Sequence, residues 1–295
     1  MAETLPVPPT DAGVRLDRWL SQTLEVPLDH ARVLIARGLV RIRGKTCSPV
    51  RKLFGGEEVV VDRPPPSHRR PVAGEPDLTV LYDDADVLVI AKPAGLAVEP
   101  SRPGAPSVVG AASRLGAFDV EGRALPGLPH RLDRETSGAL LLARHDRALA
   151  ALRRAFEHGE VEKEYLVLVA GSPPDAGALD TPYGRDPAEP RRFTTRFPSA
   201  RRARLSFVAE RRLPGAGATL LRVRLETGRT HQIRVQLAEA GFPVLADAVY
   251  GVRSGAIARQ ALHAARLAFP RPSDGARVEV VAPIPDDLAR ALGPP

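Results

Sequence analysis

The sequence predicts an α+β protein in which a small αβ unit precedes a larger domain built on a mostly antiparallel mixed sheet. Segments with strand-like patterns outnumber helical ones and often follow one another directly, which disfavours a doubly wound parallel sheet. A proline-rich stretch, typical of an extended spacer, divides the 295 residues. We therefore expect an N-terminal tail (1–13), a small unit (14–62), a linker (63–77) and a larger domain (78–295).

The small unit is predicted to contain two helices and a small sheet. One apolar helical face lies between Val14 and Leu24, and Asp29 is a good N-cap for a second helix. Residues 39–43 alternate apolar and basic side chains as a half-buried strand does, and residues 57–61 would form a closing strand. A unit of about fifty residues is marginal alone but feasible.

The larger domain opens with strand-like segments and continues with more strands than helices. The predicted helices are 147–158, rich in Ala, Leu and Arg, and 230–240, which Thr230 could N-cap. The predicted strands are 78–82, 87–90, 139–143, 165–170, 203–209 and 219–226.

The charge of the chain favours a polyanionic partner. Its formal net charge is +7, and eleven arginines lie between Arg185 and Arg234 against four acidic residues. A local excess of this kind attracts phosphates, and nucleic acid is the usual partner of such a protein. General arginine-rich composition would explain part of the same bias.

Other features of the composition limit the cellular setting. Cys47 is the single cysteine, so neither an internal disulfide nor a cysteine metal cluster is expected. No apolar run approaches the roughly 20 residues that span a bilayer, and the first residues lack a signal-peptide pattern. We expect a cytoplasmic monomer that does not contact a membrane.

Three segments carry side chains suited to chemistry, although each alone also fits a structural role. Residues 130–138 place charged and hydroxyl side chains before an apolar strand. This pattern is typical of a functional site on a rigid scaffold, and equally of a solvated turn whose side chains make only local hydrogen bonds. Residues 226–234 join a strand to a helix and fit an exposed helical start. Tyr165 begins an apolar strand and could be half-buried core. The Lys92 turn lacks the pattern of a phosphate loop.

Together, these segments resemble in order the motifs of the RluA family of pseudouridine synthases. The resemblance covers about residues 78–292. Its strongest matches are His130-Arg131-Leu132-Asp133 with Thr136-Ser137-Gly138, Lys163-Glu164-Tyr165 and residues 226–234; the further matches are residues 92–96, Tyr250-Gly251, 260–264 and 282–285. The small unit resembles the RNA-binding module of ribosomal protein S-four type, through Arg15-Leu16-Asp17-Arg18 and residues around Arg32 and Arg37.

The resemblance implies an isomerase that converts uridine to pseudouridine in structured RNA. It implies Asp133 as the catalytic carboxylate, Arg234 as its ion-pair partner and Tyr165 as the ring stacked on the target base. The base must leave its stack, and Arg131 resembles the arginine that holds this flipped arrangement. We expect His130, Arg229, Arg18, Arg32 and Arg37 to contact RNA as well. The reaction is redox-neutral, so we expect neither cofactor nor metal.

Several alternatives remain open. Large-subunit ribosomal RNA is the expected substrate and transfer RNA the alternative, because departures from the family pattern at Glu99, Phe242 and Ala246 weaken any inference about the RNA. A non-catalytic RNA-binding or ribosome-assembly protein would need only the small unit. A hydrolase using Asp133 and His130 lacks an accompanying catalytic set.

Overall fold

The structure, a computed structural model, describes residues 2–26, 28–62, 74–121, 123–199 and 201–293. Within these ranges the helices are α1 (Leu16–Thr23), α2 (Leu28–Ala36), α3 (Val108–Ala112), α4 (Asp146–Glu157), α5 (Gln232–Glu239) and α6 (Asp286–Leu292). The strands are β1 (Ala2–Pro6), β2 (Val40–Ile42), β3 (Lys45–Thr46), β4 (Glu58–Asp62), β5 (Thr79–Asp83), β6 (Val87–Lys92), β7 (Ser137–Ala143), β8 (Glu162–Ala170), β9 (Ala176–Pro182), β10 (Gly184–Arg185), β11 (Phe193–Thr194), β12 (Arg202–Leu213), β13 (Ala218–Leu225), β14 (Leu262–Pro270) and β15 (Arg277–Val281).

The predicted N-terminal tail is wrong, because residues 2–13 belong to the small unit. β1 pairs antiparallel with β4 in a four-stranded sheet of order β1-β4-β2-β3. Val7 is buried in the core of this unit, and Asp11 accepts a hydrogen bond from the Trp19 indole at 2.9 Å. β1 thus covers an edge of β4 whose backbone groups would otherwise face solvent. Its prolines and acidic residue hid the strand from sequence reasoning.

Two predicted helix starts are also wrong. α2 begins at Leu28, so Asp29 lies inside the first turn instead of preceding it. α5 begins at Gln232 with His231 as its N-cap, so Thr230 lies outside the helix. The Gln232 side chain instead holds the loop before the helix, since its Oε1 accepts the Arg229 N–H at 3.0 Å and the Thr227 hydroxyl at 2.8 Å.

The larger domain is built on a nine-stranded sheet, which confirms the predicted α+β class. Its order is β5-β6-β7-β14-β8-β13-β12-β9, with β15 also paired to β14. Every ladder is antiparallel except that of β7 with β14, where Ser137 lies opposite His263. The sheet is therefore mostly antiparallel and mixed, as predicted.

The central strands are buried on both faces. Leu140 and Leu142 of β7 join one hydrophobic cluster, whereas Leu141 joins the cluster that packs against α4. Because neighbouring residues of a strand point to opposite faces, a strand covered on both sides is apolar throughout. β7 begins immediately after residues 130–136, so these residues lie at the end of a fully buried strand.

Polar contacts between the small unit and the larger domain are present among the described residues. Arg37 Nη1 donates to the Glu121 carbonyl oxygen at 2.5 Å, and Arg147 Nε lies 3.5 Å from Glu25 Oε2. Most of the predicted linker, residues 63–73, lies outside the described residues. The division of the chain at residues 62 and 78 stays a prediction.

Many arginines of the predicted basic stretch are paired with acids instead of forming one open patch. Arg224 Nη2 lies 3.0 Å from Glu162 Oε2, and Arg222 contacts Glu210 and Glu164 on the same region of the sheet. Arg202 and Arg212 pair with Asp180 and Asp175. Residues i and i+2 of a strand share a face, and the register of β12 with β13 places Arg202, Arg222 and Arg224 on the same face of the sheet. Sequence reasoning counted the charges but could not show which acidic side chains neutralise them.

Candidate active site

Asp133 lies in a loop that leads directly into β7. The Asp133 carbonyl oxygen accepts the Thr136 N–H at 3.1 Å, closing a turn. Lys92 is almost fully buried, and its ammonium donates to the carbonyl oxygens of Pro93, Leu96 and Arg134 at 2.7, 2.7 and 2.8 Å. The Lys92 turn, predicted not to be a phosphate loop, therefore holds the backbone next to Asp133.

Residues 259–264 contact the same loop and hold it in place. Gln260 Nε2 donates to Thr136 Oγ1 at 2.7 Å, and Arg259 Nη1 donates to the Glu135 carbonyl oxygen at 3.0 Å. Gly138 has φ +118°, and a Cβ there would lie 2.2 Å from the Ala264 carbonyl oxygen. Only glycine permits so close a backbone approach. The Asp133 loop is therefore fixed by contacts from two distant parts of the chain.

Arg234 joins two carboxylates. Its Nη1 donates to Asp133 Oδ2 at 2.8 Å, while Nε and Nη2 donate to Asp247 Oδ2 and Oδ1 at 2.6 and 2.9 Å. Burial opposes the charge of Arg234, but Asp247 and Asp133 more than compensate and raise its pKa. Burial likewise opposes the Asp247 carboxylate, and Arg234 holds the pKa of that group below its ordinary value. The guanidinium is thus a fixed cation beside Asp133.

Tyr165 shares a cavity with this ion pair. The cavity is lined by Asp133, Arg234 and Tyr165 together with apolar Leu225, Ile233 and Leu262. Burial, and then the Asp133 carboxylate, raise the pKa of the Tyr165 phenol, so it stays protonated at neutral pH. The structure therefore brings together the three residues that the resemblance singled out. A flat ring and a paired carboxylate beside apolar walls suit a planar heterocycle.

A groove of about 920 Å³ opens onto this cavity. Arg131 and Arg229 are exposed and line both the groove and the cavity. Arg153, Lys163 and Arg204 add further cations to the groove, and Glu99 lies on its wall. The two predicted arginines are therefore placed where a strand of phosphates could approach the cavity.

His130 has a structural contact that sequence reasoning did not anticipate. Its Nε2 accepts the Leu141 N–H at 3.0 Å, and its ring stacks on Phe156 with centroids 5.0 Å apart. Burial, assisted by Lys163, lowers the pKa of His130 to about 3, so the ring is neutral. These contacts account for an imidazole at this position without RNA. Its expected contact with RNA stays a prediction.

The three arginines predicted to bind RNA in the small unit have different surroundings. Arg18 is exposed, whereas Arg32 Nε lies 3.0 Å from Asp17 Oδ2. Arg37 contacts the Glu121 carbonyl oxygen of the larger domain. Arg32 and Arg37 thus serve the protein itself, and a role of all three in RNA binding stays a prediction.

Sequence reasoning missed three residues that lie around Asp133. Asp247 was noted only beside a departure at Ala246, yet its fully buried side chain makes two bonds to Arg234. His231 Nε2 lies 3.9 Å from Asp133 Oδ1, and its Nδ1 lies 3.1 Å from the Tyr250 hydroxyl. The available signal was their presence in matched motifs, at His231 and at Tyr250-Gly251.

In the described ranges of the chain, no group of three or more His, Cys, Asp or Glu side chains is placed to hold a metal ion. No helix within those ranges is both long and apolar enough to cross a membrane.

Comparison with known proteins places this chain in a family. Residues 86–239 match the family model described as RNA pseudouridylate synthase. An uncharacterized RNA pseudouridine synthase of Chloroflexus aurantiacus is 41% identical over 97% of this chain and 91% of that protein. The human RNA pseudouridylate synthase domain containing 1 has a similar structure, with a TM-score of 0.61 at 25% identity over 76% of this chain and 90% of that one.

The chain belongs to the RNA pseudouridylate synthase family. Its RluA-type resemblance is confirmed, and the protein is an isomerase that acts on RNA. One relative, from Xanthomonas campestris, is named ribosomal large subunit pseudouridine synthase D; it is 35% identical over 97% of this chain and 90% of that protein. The alternatives of a hydrolase and a non-catalytic RNA-binding protein are therefore wrong.

Proposed function

We propose that this enzyme isomerises specific uridines of large-subunit ribosomal RNA. The carrying observation is that Asp133, Arg234 and Tyr165 line one cavity at the end of a groove edged with arginines. Support for the substrate comes from the relatives of Xanthomonas campestris and Neisseria meningitidis that are named ribosomal large subunit pseudouridine synthase D, each 35% identical to this chain.

We assign Asp133 as the nucleophile of the reaction. Its carboxylate attacks C1′ of the sugar, and the bond to uracil N1 breaks with its electron pair on the base. The base turns, C5 attacks C1′ and displaces the carboxylate, and the proton of C5 is lost while N1 gains one. No atom or electron is gained overall. Arg234 Nη1 donates to the carboxylate at 2.8 Å and so holds it in place for this attack.

We assign Tyr165 to the target base and the groove arginines to the RNA around it. The Tyr165 ring forms one wall of the cavity on which uracil can stack. Removing a base from its stack costs a few kcal/mol, which contacts to the extruded nucleotide must offset. Arg131 and Arg229 lie where the groove meets the cavity, so their guanidinium groups can bind the phosphates or stack on the flipped base.

We further propose that the small unit is an RNA-binding module of the S-four type. Because β1 is part of its sheet, a truncation that deletes this unit must remove residues 1–13 together with residues 14–62. We expect residues 71–295 to bind ribosomal RNA more weakly than the full chain but to retain some turnover, since Asp133, Tyr165 and Arg234 all lie within that range. Binding titrations at several salt concentrations measure the effect.

The salt dependence makes this prediction specific. Each phosphate that the shortened chain no longer binds should reduce the slope of log affinity against log salt by roughly 0.9 on duplex-like RNA. Arg18→Gln in the full chain is the matched point variant, because Arg18 is exposed and its replacement should leave the melting temperature unchanged. If the shortened chain stays folded and binds with the affinity and slope of the full protein, the small unit has another role.

The substrate is tested by mapping pseudouridines in RNA from cells with and without this protein. We expect one or more sites to disappear from large-subunit ribosomal RNA and to return when the wild-type chain is supplied. Supplying the Asp133→Asn chain should not restore them. Sites that disappear only from transfer RNA would establish the alternative substrate and refute the proposed one.

A further inference from the structure

The two oxygens of the Asp133 carboxylate have different surroundings. Oδ2 accepts from Arg234 at 2.8 Å, while Oδ1 lies 3.9 Å from Nε2 of His231. The second distance is too long for a hydrogen bond but short enough for a small movement to form one. His231 is therefore the side chain placed to control the oxygen that Arg234 does not hold.

The backbone of His231 is in a conformation that most residues avoid. Its φ is +60°, in the left-handed region, and it precedes the first residue of α5. A non-glycine residue persists there when its surroundings over-determine the conformation, and such residues concentrate at functional sites. Here the conformation directs the imidazole between Asp133 and Tyr250, so that each ring nitrogen faces one of them.

The hydrogen bonds around Tyr250 favour one tautomer of His231. The Phe193 N–H donates to the Tyr250 hydroxyl oxygen at 3.0 Å, which leaves the hydroxyl hydrogen available to His231 Nδ1 at 3.1 Å. Burial lowers the pKa of His231, and the neutral ring that results has one donor and one acceptor. With Nδ1 accepting, the N–H is on Nε2 and faces Asp133.

We propose that His231 is a positioning residue for Asp133. We further propose that Tyr250 acts as a relay, because it contacts both the β10–β11 hairpin and His231, so that a shift of the hairpin changes the position of His231. The proposal rests on the assigned role of Asp133. Arg234 contacts Oδ2 and the His231 N–H faces Oδ1, so the carboxylate is restrained from rotating about the Cβ–Cγ bond. In the reaction, Oδ1 bonds to C1′ of the sugar. When C5 of the base displaces Oδ1, the His231 N–H donates a hydrogen bond to the released oxygen.

The β10–β11 hairpin contacts His231 and Tyr250 through an aromatic ring and an arginine. The Phe193 ring meets His231 edge-on with centroids 5.9 Å apart. The Tyr250 ring contacts two guanidinium groups, with Arg192 of the hairpin loop 5.0 Å and Arg234 5.2 Å from its centroid. A hairpin that is displaced must therefore disturb both groups that hold Asp133.

Two substitutions of His231 separate the Asp133 contact from the Tyr250 contact. Asparagine tolerates a positive φ, and its amide reaches the place of Nδ1 but not that of Nε2. Glutamine is longer and can place its amide N–H where Nε2 stands. The matched pair His231→Asn and His231→Gln thus removes or keeps the donor to Asp133, while Tyr250→Phe breaks the relay from its other end.

The assay is tritium release from large-subunit ribosomal RNA labelled at uridine C5 and taken from cells that lack the protein. We expect His231→Asn to lower kcat by on the order of 100-fold with little change in KM, because positioning acts on the chemical step. His231→Gln should retain kcat within about tenfold of wild type, and Tyr250→Phe should lie between the two. RNA affinity and melting temperature are measured in parallel.

A His231→Asn protein with wild-type kcat would overturn the proposal, and so would equal losses in the Asn and Gln variants at unchanged melting temperature. If His231→Asn does not fold, the proposal depends on Tyr250→Phe, which keeps the ring; unchanged kcat in that variant would overturn the relay. A wild-type protein that releases no tritium would instead refute the assigned substrate. Failure of the substrate and failure of the positioning role are therefore distinguishable.

Discussion

Asp133→Asn is expected to abolish turnover while the fold and the affinity for RNA persist. An amide has nearly the shape of the carboxylate but is neither an anion nor an effective nucleophile, so the loss should be on the order of 1,000-fold or more. The fold should survive because Arg234 keeps its two bonds to Asp247. Tritium release from uridine-labelled RNA measures turnover, and thermal unfolding measures the fold.

The same substitution at another turn provides the control. Asp274 caps the turn between β14 and β15 through the Ala276 N–H at 3.0 Å, and it is exposed. Asparagine suits such turns, so Asp274→Asn should leave turnover near that of the wild type. If Asp133 were also only a turn residue, its Asn variant would behave in the same way. Wild-type release from a well-folded Asp133→Asn protein would refute the assigned chemistry.

Arg234→Met should remove activity and also destabilise the protein. The variant leaves Asp247, whose side chain has no exposed surface, as a buried carboxylate without its cation. Breaking a buried ion pair in this way costs about 3–5 kcal/mol. Arg234→Lys keeps one positive charge but cannot donate to both carboxylates in a fixed fork, so its losses should be intermediate. Urea unfolding and tritium release are the two measurements.

A double variant separates the two effects of Arg234. In Arg234→Met with Asp247→Asn, the buried group is neutral and can still accept the Val249 and Tyr250 N–H groups that Asp247 accepts at 2.9 and 3.1 Å. We expect much of the lost stability to return and the activity to stay absent. Recovery of turnover in the double variant would show that Arg234 serves the fold alone.

Local patterns allowed much of the larger domain to be predicted from the sequence. The apolar runs of β6, β7, β8 and β13 were found because strands buried on both faces carry few polar residues. β14 was recognised only as a motif, and β15 and α6 were not predicted. β14 pairs with β7 and β8, which lie far away along the chain, and periodicity does not record such a pairing. β15 instead forms a hairpin with β14, so its alternating burial was a local signal that sequence reasoning overlooked.

The candidate site divides in the same way. Asp133, Tyr165 and Arg234 were found through motif resemblance, whereas Asp247 and His231 gain their significance from contacts between loops. His130 shows the converse, since its residue type suggested a contact with RNA while its ring nitrogen serves the backbone of β7. Residue type indicates what a side chain can do, and only the packed structure shows which partner it has.

The parallel pairing of β7 with β14 has a consequence for when the enzyme becomes competent. Ser137 and His263, which face each other in this ladder, are 126 positions apart, and β14 begins at Leu262 of 295 residues. Until β14 has been synthesised, one edge of β7 is therefore unpaired. The Asp133 loop also lacks the contacts of Arg259 and Gln260 until these residues have been added. Pairings this distant in sequence form slowly. An incomplete chain that does not yet contain β14 is therefore expected to be inactive.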